Sequence, residues 1–168
     1  TTRESGQVVV RVVPADLYER LLFHGFELEL WMAPQVERAS LAETVAPFYR
    51  VPDPPGRVAL VLGAGNVNSI PVLDALYSMV NDGDVVLLKL NPVNTYLRPI
   101  LEQVLAPLIR PGYLALTSGD AALGQRMCHD PRVQVVRLTG SRGTYEAIMW
   151  GTGLDGERRR AAGRPLLD

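Results

Sequence analysis

The side chains best suited to chemistry are few, and they stand where apolar runs end. Val58–Leu62 is a continuous apolar run that leads into Gly63-Ala64-Gly65-Asn66. Val85–Leu90 carries Lys89 just before Asn91-Pro92, and Val133–Leu138 opens into Thr139-Gly140-Ser141. Glycines after a strand let the backbone approach a ligand closely, or only make the turn. A Thr-Gly-Ser segment ahead of a helix offers free amides and a hydroxyl to an anion, which the helix dipole favours. The same residues also serve as an ordinary N-cap. Lys89 is the only lysine of the chain, every other strongly basic side chain being arginine. Cys128 is the single cysteine and has His129 beside it, but adjacency in sequence does not give a thiol and an imidazole the geometry to exchange a proton. With His24 as the only other histidine, no metal-ligand spacing exists.

The elements that must position these residues follow from periodicity. Uninterrupted apolar strands at 58–62, 85–90, 113–116 and 133–138 alternate with helical stretches at 70–80, 95–109, 121–127 and 142–150. That alternation predicts an α/β fold, with a parallel sheet covered by helices on both faces. In such sheets ligands sit beyond the carboxyl ends of the strands, which is where the candidate residues lie. Ahead of this region, Gln7–Val13 and Phe26–Met32 read as strands around a short helix capped by Asp16, and Ser40–Tyr49 as a helix with Ser40 as cap and Glu43 as return partner. Asp53-Pro54-Pro55-Gly56 breaks the pattern and divides residues 1–52, a strand–helix–strand segment that could act as an oligomerisation flap, from residues 53–168. Glu157–Arg160 reads as a solvated helix face.

Composition narrows the function classes. A net charge of −1 supplies no field for nucleic acid or an anionic membrane, and no apolar stretch is long enough to span a bilayer. Thr1-Thr2-Arg3-Glu4-Ser5 is no signal peptide, and one cysteine suits a reducing cytoplasm. A start without Met and a stop at Leu166-Leu167-Asp168 mark the chain, on this reading, as a piece of a longer protein.

Gly63-Ala64-Gly65 resembles the opening of the Rossmann dinucleotide fingerprint, yet Asn68 stands where the third glycine belongs and Lys89 where an acidic residue would hold the ribose. That argues against a small Rossmann-type reductase. From about Arg57 to Trp150 the chain instead resembles the cofactor domain of the aldehyde dehydrogenase superfamily. The resemblance rests on a strand ending in Asn66, a next strand ending in Lys89 at the family's separation, and Val136-Arg137-Leu138-Thr139-Gly140-Ser141 matching the Thr-Gly-Ser element. Gly119 and Gly124 fall in the Gly-bearing turn that precedes it.

The resemblance implies a Rossmann-like cofactor domain for NAD or NADP. Leu62 and Gly63 would lie against the cofactor, Lys89 would bond ribose hydroxyls, Gly119 and Gly124 would border the site, and Thr139, Gly140 and Ser141 would hold the pyrophosphate. Asn66 would be the catalytic residue here, its amide steadying the substrate oxygen; read from residue type alone, it is equally a turn asparagine. The family's Pro-Trp before that asparagine is replaced by Ala64-Gly65, and Pro92 stands where many NAD-using members carry a glutamate, so weak discrimination against NADP is expected. In similar proteins a Glu-Leu-Gly-Gly motif and a nucleophilic cysteine follow in later segments, and neither occurs by Asp168. The full protein is therefore expected to oxidise a small aldehyde or to reduce an acyl-CoA or acyl-phosphate. The 168 residues alone are expected to be inactive. A non-catalytic nucleotide-binding or oligomerisation module is the alternative.

Overall fold

The computed structural model describes residues 6–45 and 47–167. Thr1–Ser5 and Asp168 lie outside them, as does Ala46 within the expected Ser40–Tyr49 helix. The chain falls into two compact units, Thr1–Arg50 and Val51–Asp168.

In the first unit, strand β1 (Val9–Val13) pairs antiparallel with β2 (Leu28–Trp31), Val9 lying opposite Trp31. Helix α1 (Leu17–Leu22) joins them. It starts where it does because Asp16 is extended and its carboxylate accepts the Glu19 N–H at 2.8 Å, while the Glu19 carboxylate takes the Ala15 N–H at 2.6 Å. The helix expected over Ser40–Tyr49 does not form. Two short 3₁₀ turns, Leu41–Thr44 and Pro47–Arg50, replace it, with Val45 extended between them (φ −88°, ψ 120°). Pro47 is the cause, since it has no N–H for the helical ladder and its ring collides with the preceding turn. Ser40 makes no capping bond; its hydroxyl donates back to the Glu37 carbonyl.

The second unit is a four-stranded parallel sheet flanked by helices. Its strands are β3 (Val58–Leu62), β4 (Val85–Leu90), β5 (Leu114–Ser118) and β6 (Val135–Leu138), in the spatial order β5-β4-β3-β6. Helix α2 (Ile70–Asp82) follows β3, α3 (Arg98–Val104) and α4 (Ala106–Ile109) follow β4, and α5 (Ala121–Cys128) follows β5. Helices α6 (Arg142–Trp150) and α7 (Gly153–Ala161) complete the unit.

One face of the sheet presents Ala59, Val61, Val86, Leu88 and Leu90, all buried, to Val72, Ala75 and Met79 of α2 and to Leu101, Leu105 and Leu108 beyond β4. The opposite face carries Leu60 and Lys89 next to α5, which explains why these strands show no polar alternation. The single helix expected over Thr95–Ile109 is divided. Pro92–Leu97 is a 3₁₀ turn, and Leu105 (φ −94°, ψ 9°) breaks the remainder, because Pro107 cannot donate to the carbonyl of Gln103. Helix α2 closes on Gly83 in the left-handed region (φ 65°), whose N–H bonds the Ser78 carbonyl and turns the chain into Asp84 and β4.

Asp84 is the charged anchor at the amino end of the sheet. Its buried carboxylate accepts from the Arg57 guanidinium at 2.8 Å and from the Ser78 hydroxyl at 2.7 Å, with the Arg137 guanidinium 3.6 Å away. Arg137 in turn donates to the Ser78 hydroxyl at 2.8 Å, pairs with Asp82, and lies over the Tyr77 ring. One carboxylate thus joins the start of β3, the end of α2 and the outermost strand β6. Breaking a buried charge network by removing one partner is strongly destabilising, so Asp84→Ala should lower the unfolding free energy by about 3 kcal/mol. Removing the exposed Glu102 partner of Arg98 should cost nothing measurable. Equal urea midpoints for Asp84→Ala and Glu102→Ala would refute this assignment.

Candidate functional site

In the order β5-β4-β3-β6 the chain winds outward from β3 to β5 and then crosses back to place β6 on the other side of β3. The helices after β3 and β6 therefore diverge, and a crevice opens beyond the carboxyl ends of these two strands. A cleft of about 910 Å³ occupies this position. Its size is that of a small-molecule or cofactor site, roughly 300–1,000 Å³.

Eight of the nine sequence-predicted site residues line it. Leu62, Gly63 and Asn66 come from the end of β3, Lys89 from β4, Gly124 from α5, and Thr139, Gly140 and Ser141 from the turn into α6. Gly119 stands one layer behind, its carbonyl accepting a bond from Lys89 Nζ at 2.7 Å.

The β3 turn is narrow because its backbone runs against the chain after β4. The Gly63 N–H donates to the Lys89 carbonyl at 2.9 Å, and a Cβ at Gly63 would lie 3.1 Å from that oxygen and from Pro71. At Gly65 a Cβ would come within 2.9 Å of the Asn91 side chain. Asn94, buried, fixes the same turn by donating its amide to the Ala64 carbonyl at 3.0 Å. Asn66 follows at the exposed lip of the cleft.

On the other bank, Ser141 is extended and caps α6, its hydroxyl accepting the Thr144 N–H at 3.1 Å. The ordinary capping role is therefore real, and it leaves the remaining first-turn amides pointing out of the helix. No acidic residue occupies the first turn of α6, so the positive end of the helix dipole is not offset. Thr139 donates its hydroxyl to Asp74 of α2 at 2.7 Å, bridging the two banks.

Lys89 is only 6% exposed. Its stem runs past Gly124, where a Cβ would stand 3.4 Å from Lys89 Cε, in ordinary van der Waals contact. Burial holds the Lys89 pKa below its ordinary value, against opposing pulls from Asp120 and Cys128. Cys128 is buried and lines a separate 320 Å³ cavity with Tyr145 and Met149. Burial pushes its thiol pKa up, which disfavours the thiolate a nucleophile needs. Among the described residues no cluster could hold a metal ion, and no helix is long and apolar enough to cross a membrane.

Sequence reasoning missed Asn94, Asp74 and Asp120. The first two act through contacts between distant segments, Ala64 with Asn94 and Asp74 with Thr139, which no local spacing announces. Asp120 carries a readable signal, an acidic residue one step before a helical run. Comparison with family models, curated proteins and solved structures returns no match to this chain.

The lowered Lys89 pKa has a consequence for stability. Between that value and the 10.5 of an unperturbed lysine, the unfolded chain binds more protons than the folded one. Stability contributed at this site therefore rises with pH across that window. Wild type should gain on Lys89→Met as pH climbs toward 10.5, as read by denaturant unfolding at stepped alkaline pH. A difference that stays flat over this range would count against burial of the ammonium.

Proposed function

We propose that the second unit binds NAD or NADP, as the Rossmann-like cofactor domain of an aldehyde-dehydrogenase-like oxidoreductase. One observation carries the reading. Three segments singled out by residue type, Gly63–Asn66, Lys89 and Thr139–Ser141, lie more than twenty residues apart in sequence yet border one cleft. The strand order supports it, since β5-β4-β3-β6 corresponds to the 3-2-1-4 half of a dinucleotide-binding sheet.

The donor set suits such a ligand. Bare backbone at Gly63 and Gly65 admits a close approach, Lys89 supplies ammonium N–H groups for ribose hydroxyls, and the start of α6 favours a pyrophosphate. Bound there, the cofactor would accept or deliver hydride. Asn66, at the lip, would donate its side-chain amide to the oxygen of an aldehyde or acyl substrate. The nucleophile and general base of the complete reaction would come from outside these 168 residues.

Titration of the folded chain with NAD and NADP tests the reading. Lys89→Met should weaken both by about tenfold or more, the scale of a lost hydrogen bond to a charged donor. Unchanged affinities would remove the lysine from the site. Binding of neither nucleotide by wild type would favour the non-catalytic module.

The same chain should give no NAD(P)H from short or long aldehydes, and Cys128→Ser should leave that blank unchanged. Aldehyde-dependent reduction abolished by Cys128→Ser would make the buried thiol a nucleophile after all.

A further inference from the structure

Most polar side chains that line the cleft are bonded within the protein. Ser141 and Thr144 bond each other, Thr139 donates to Asp74, Asn91 accepts the Val93 N–H, and Lys89 donates to the Gly119 carbonyl. Gln125 lines the same cleft, and its side-chain amide has no protein partner among the described residues. We propose that Gln125 is a specificity-determining residue, which reads the amino edge of the adenine base of a bound dinucleotide. The inference rests on the dinucleotide reading above.

That reading leaves one stretch of the cleft for the base. Asn66 marks the end where hydride moves, the start of α6 takes the pyrophosphate, and Lys89 takes ribose hydroxyls. The walls that remain come from α5 and α6, each of which turns one face to the cleft. Ala121 and Gln125 stand one turn apart on α5, with Ala122 beside them. Thr144, Ala147 and Ile148 share a face of α6. The α5 wall is short and the α6 wall largely apolar, so a flat ring can lie between them. Apolar walls with a few placed polar groups are the ordinary make-up of a small-molecule site. On the α5 wall, Gln125 is the polar group.

Its position suits a nucleoside. Gln125 directly follows Gly124, and the stem of Lys89 runs past Gly124. An amide for the base and an ammonium for the ribose therefore stand side by side. The chemistry also matches. A carboxamide holds an acceptor, Oε1, next to a donor, Nε2. Adenine presents its exocyclic amino donor next to a ring-nitrogen acceptor, on either of two edges. The Gln125 amide accepts from the amino group and donates to the ring nitrogen, the pairing by which glutamine reads adenine in nucleic acids. The side chain is exposed, so no protein bond has to break before it turns to the base. What opposes the contact is the ordering of one flexible side chain, which keeps the effect modest.

The test titrates the 168-residue chain with NAD and with 1,N6-etheno-NAD, by calorimetry. The etheno bridge removes both amino hydrogens of the base and leaves the ribose, pyrophosphate and nicotinamide untouched. Wild type should bind NAD about tenfold more tightly than the etheno compound. Gln125→Met and Gln125→Leu keep an unbranched or γ-branched helix former and remove the amide. Each should weaken NAD by about tenfold and move the etheno compound less than about twofold, so that the preference disappears. A preference that survives in both variants comes from the bulk of the bridge; it overturns the role of Gln125 and leaves the dinucleotide reading standing. Equal affinities in wild type overturn that role too, as does equal weakening of both compounds in the variants, the signature of a residue that only shapes α5. Failure of wild type to bind either compound overturns the cofactor reading and this inference together.

Discussion

Where β3 ends, its backbone runs so close to β4 and the residues after it that a Cβ would lie 3.1 Å from the Lys89 carbonyl and Pro71 at Gly63, and 2.9 Å from the Asn91 side chain at Gly65. The Gly63 N–H still bonds the Lys89 carbonyl, so the turn continues the sheet's ladder for one residue before it departs. Everything about the cleft depends on this contact. It lays bare backbone along one bank, aims Asn66 outward, and leaves Lys89 beneath with its ammonium directed to the loop after β5. A methyl group at either glycine would push the turn away from Pro71 or from Asn91, and the floor of the cleft would move with it.

The two ends of the second unit's sheet are held by opposite means. At the amino end, Asp84 gathers Arg57, Ser78 and Arg137 into a buried network that satisfies each polar group with another. At the carboxyl end, the first amides of α6 and two N–H groups of Lys89 have no protein acceptor among the described residues. The closed end holds three elements in register. The open end can then present donors without the loops collapsing onto them, because Asn94 and the Thr139–Asp74 bond fix the loops from outside. Preorganisation of this kind lowers the cost of ordering on binding.

Strands β3 to β6 and helices α2, α5 and α6 were readable because their signals are local. Buried parallel strands are continuous apolar runs, and Ser141 and Asp16 are caps by residue type. The failures share one cause. Apolar periodicity continues through Pro47 and Pro107 as if they were ordinary residues, whereas the backbone stops at both, giving 3₁₀ turns in one case and a broken helix in the other. For the site, residue type found the cleft-lining groups of β3, β4 and the α6 turn. It could not find what holds them. Asn94 and Asp74 are ordinary polar residues until the fold brings them to Ala64 and Thr139.

A chain with one lysine also has an unusual chemical surface. Every strongly basic group it presents to solvent is a guanidinium, which stays charged at any pH a protein survives and resists acylating reagents. Its one ε-amino group lies at the floor of the cleft, hydrogen-bonded to a carbonyl and largely shielded from water. Acylation of side-chain amines, whether by a laboratory reagent or by a cellular acyl donor, is therefore confined to a single position, and a ligand seated in the cleft would stand between that amine and the reagent.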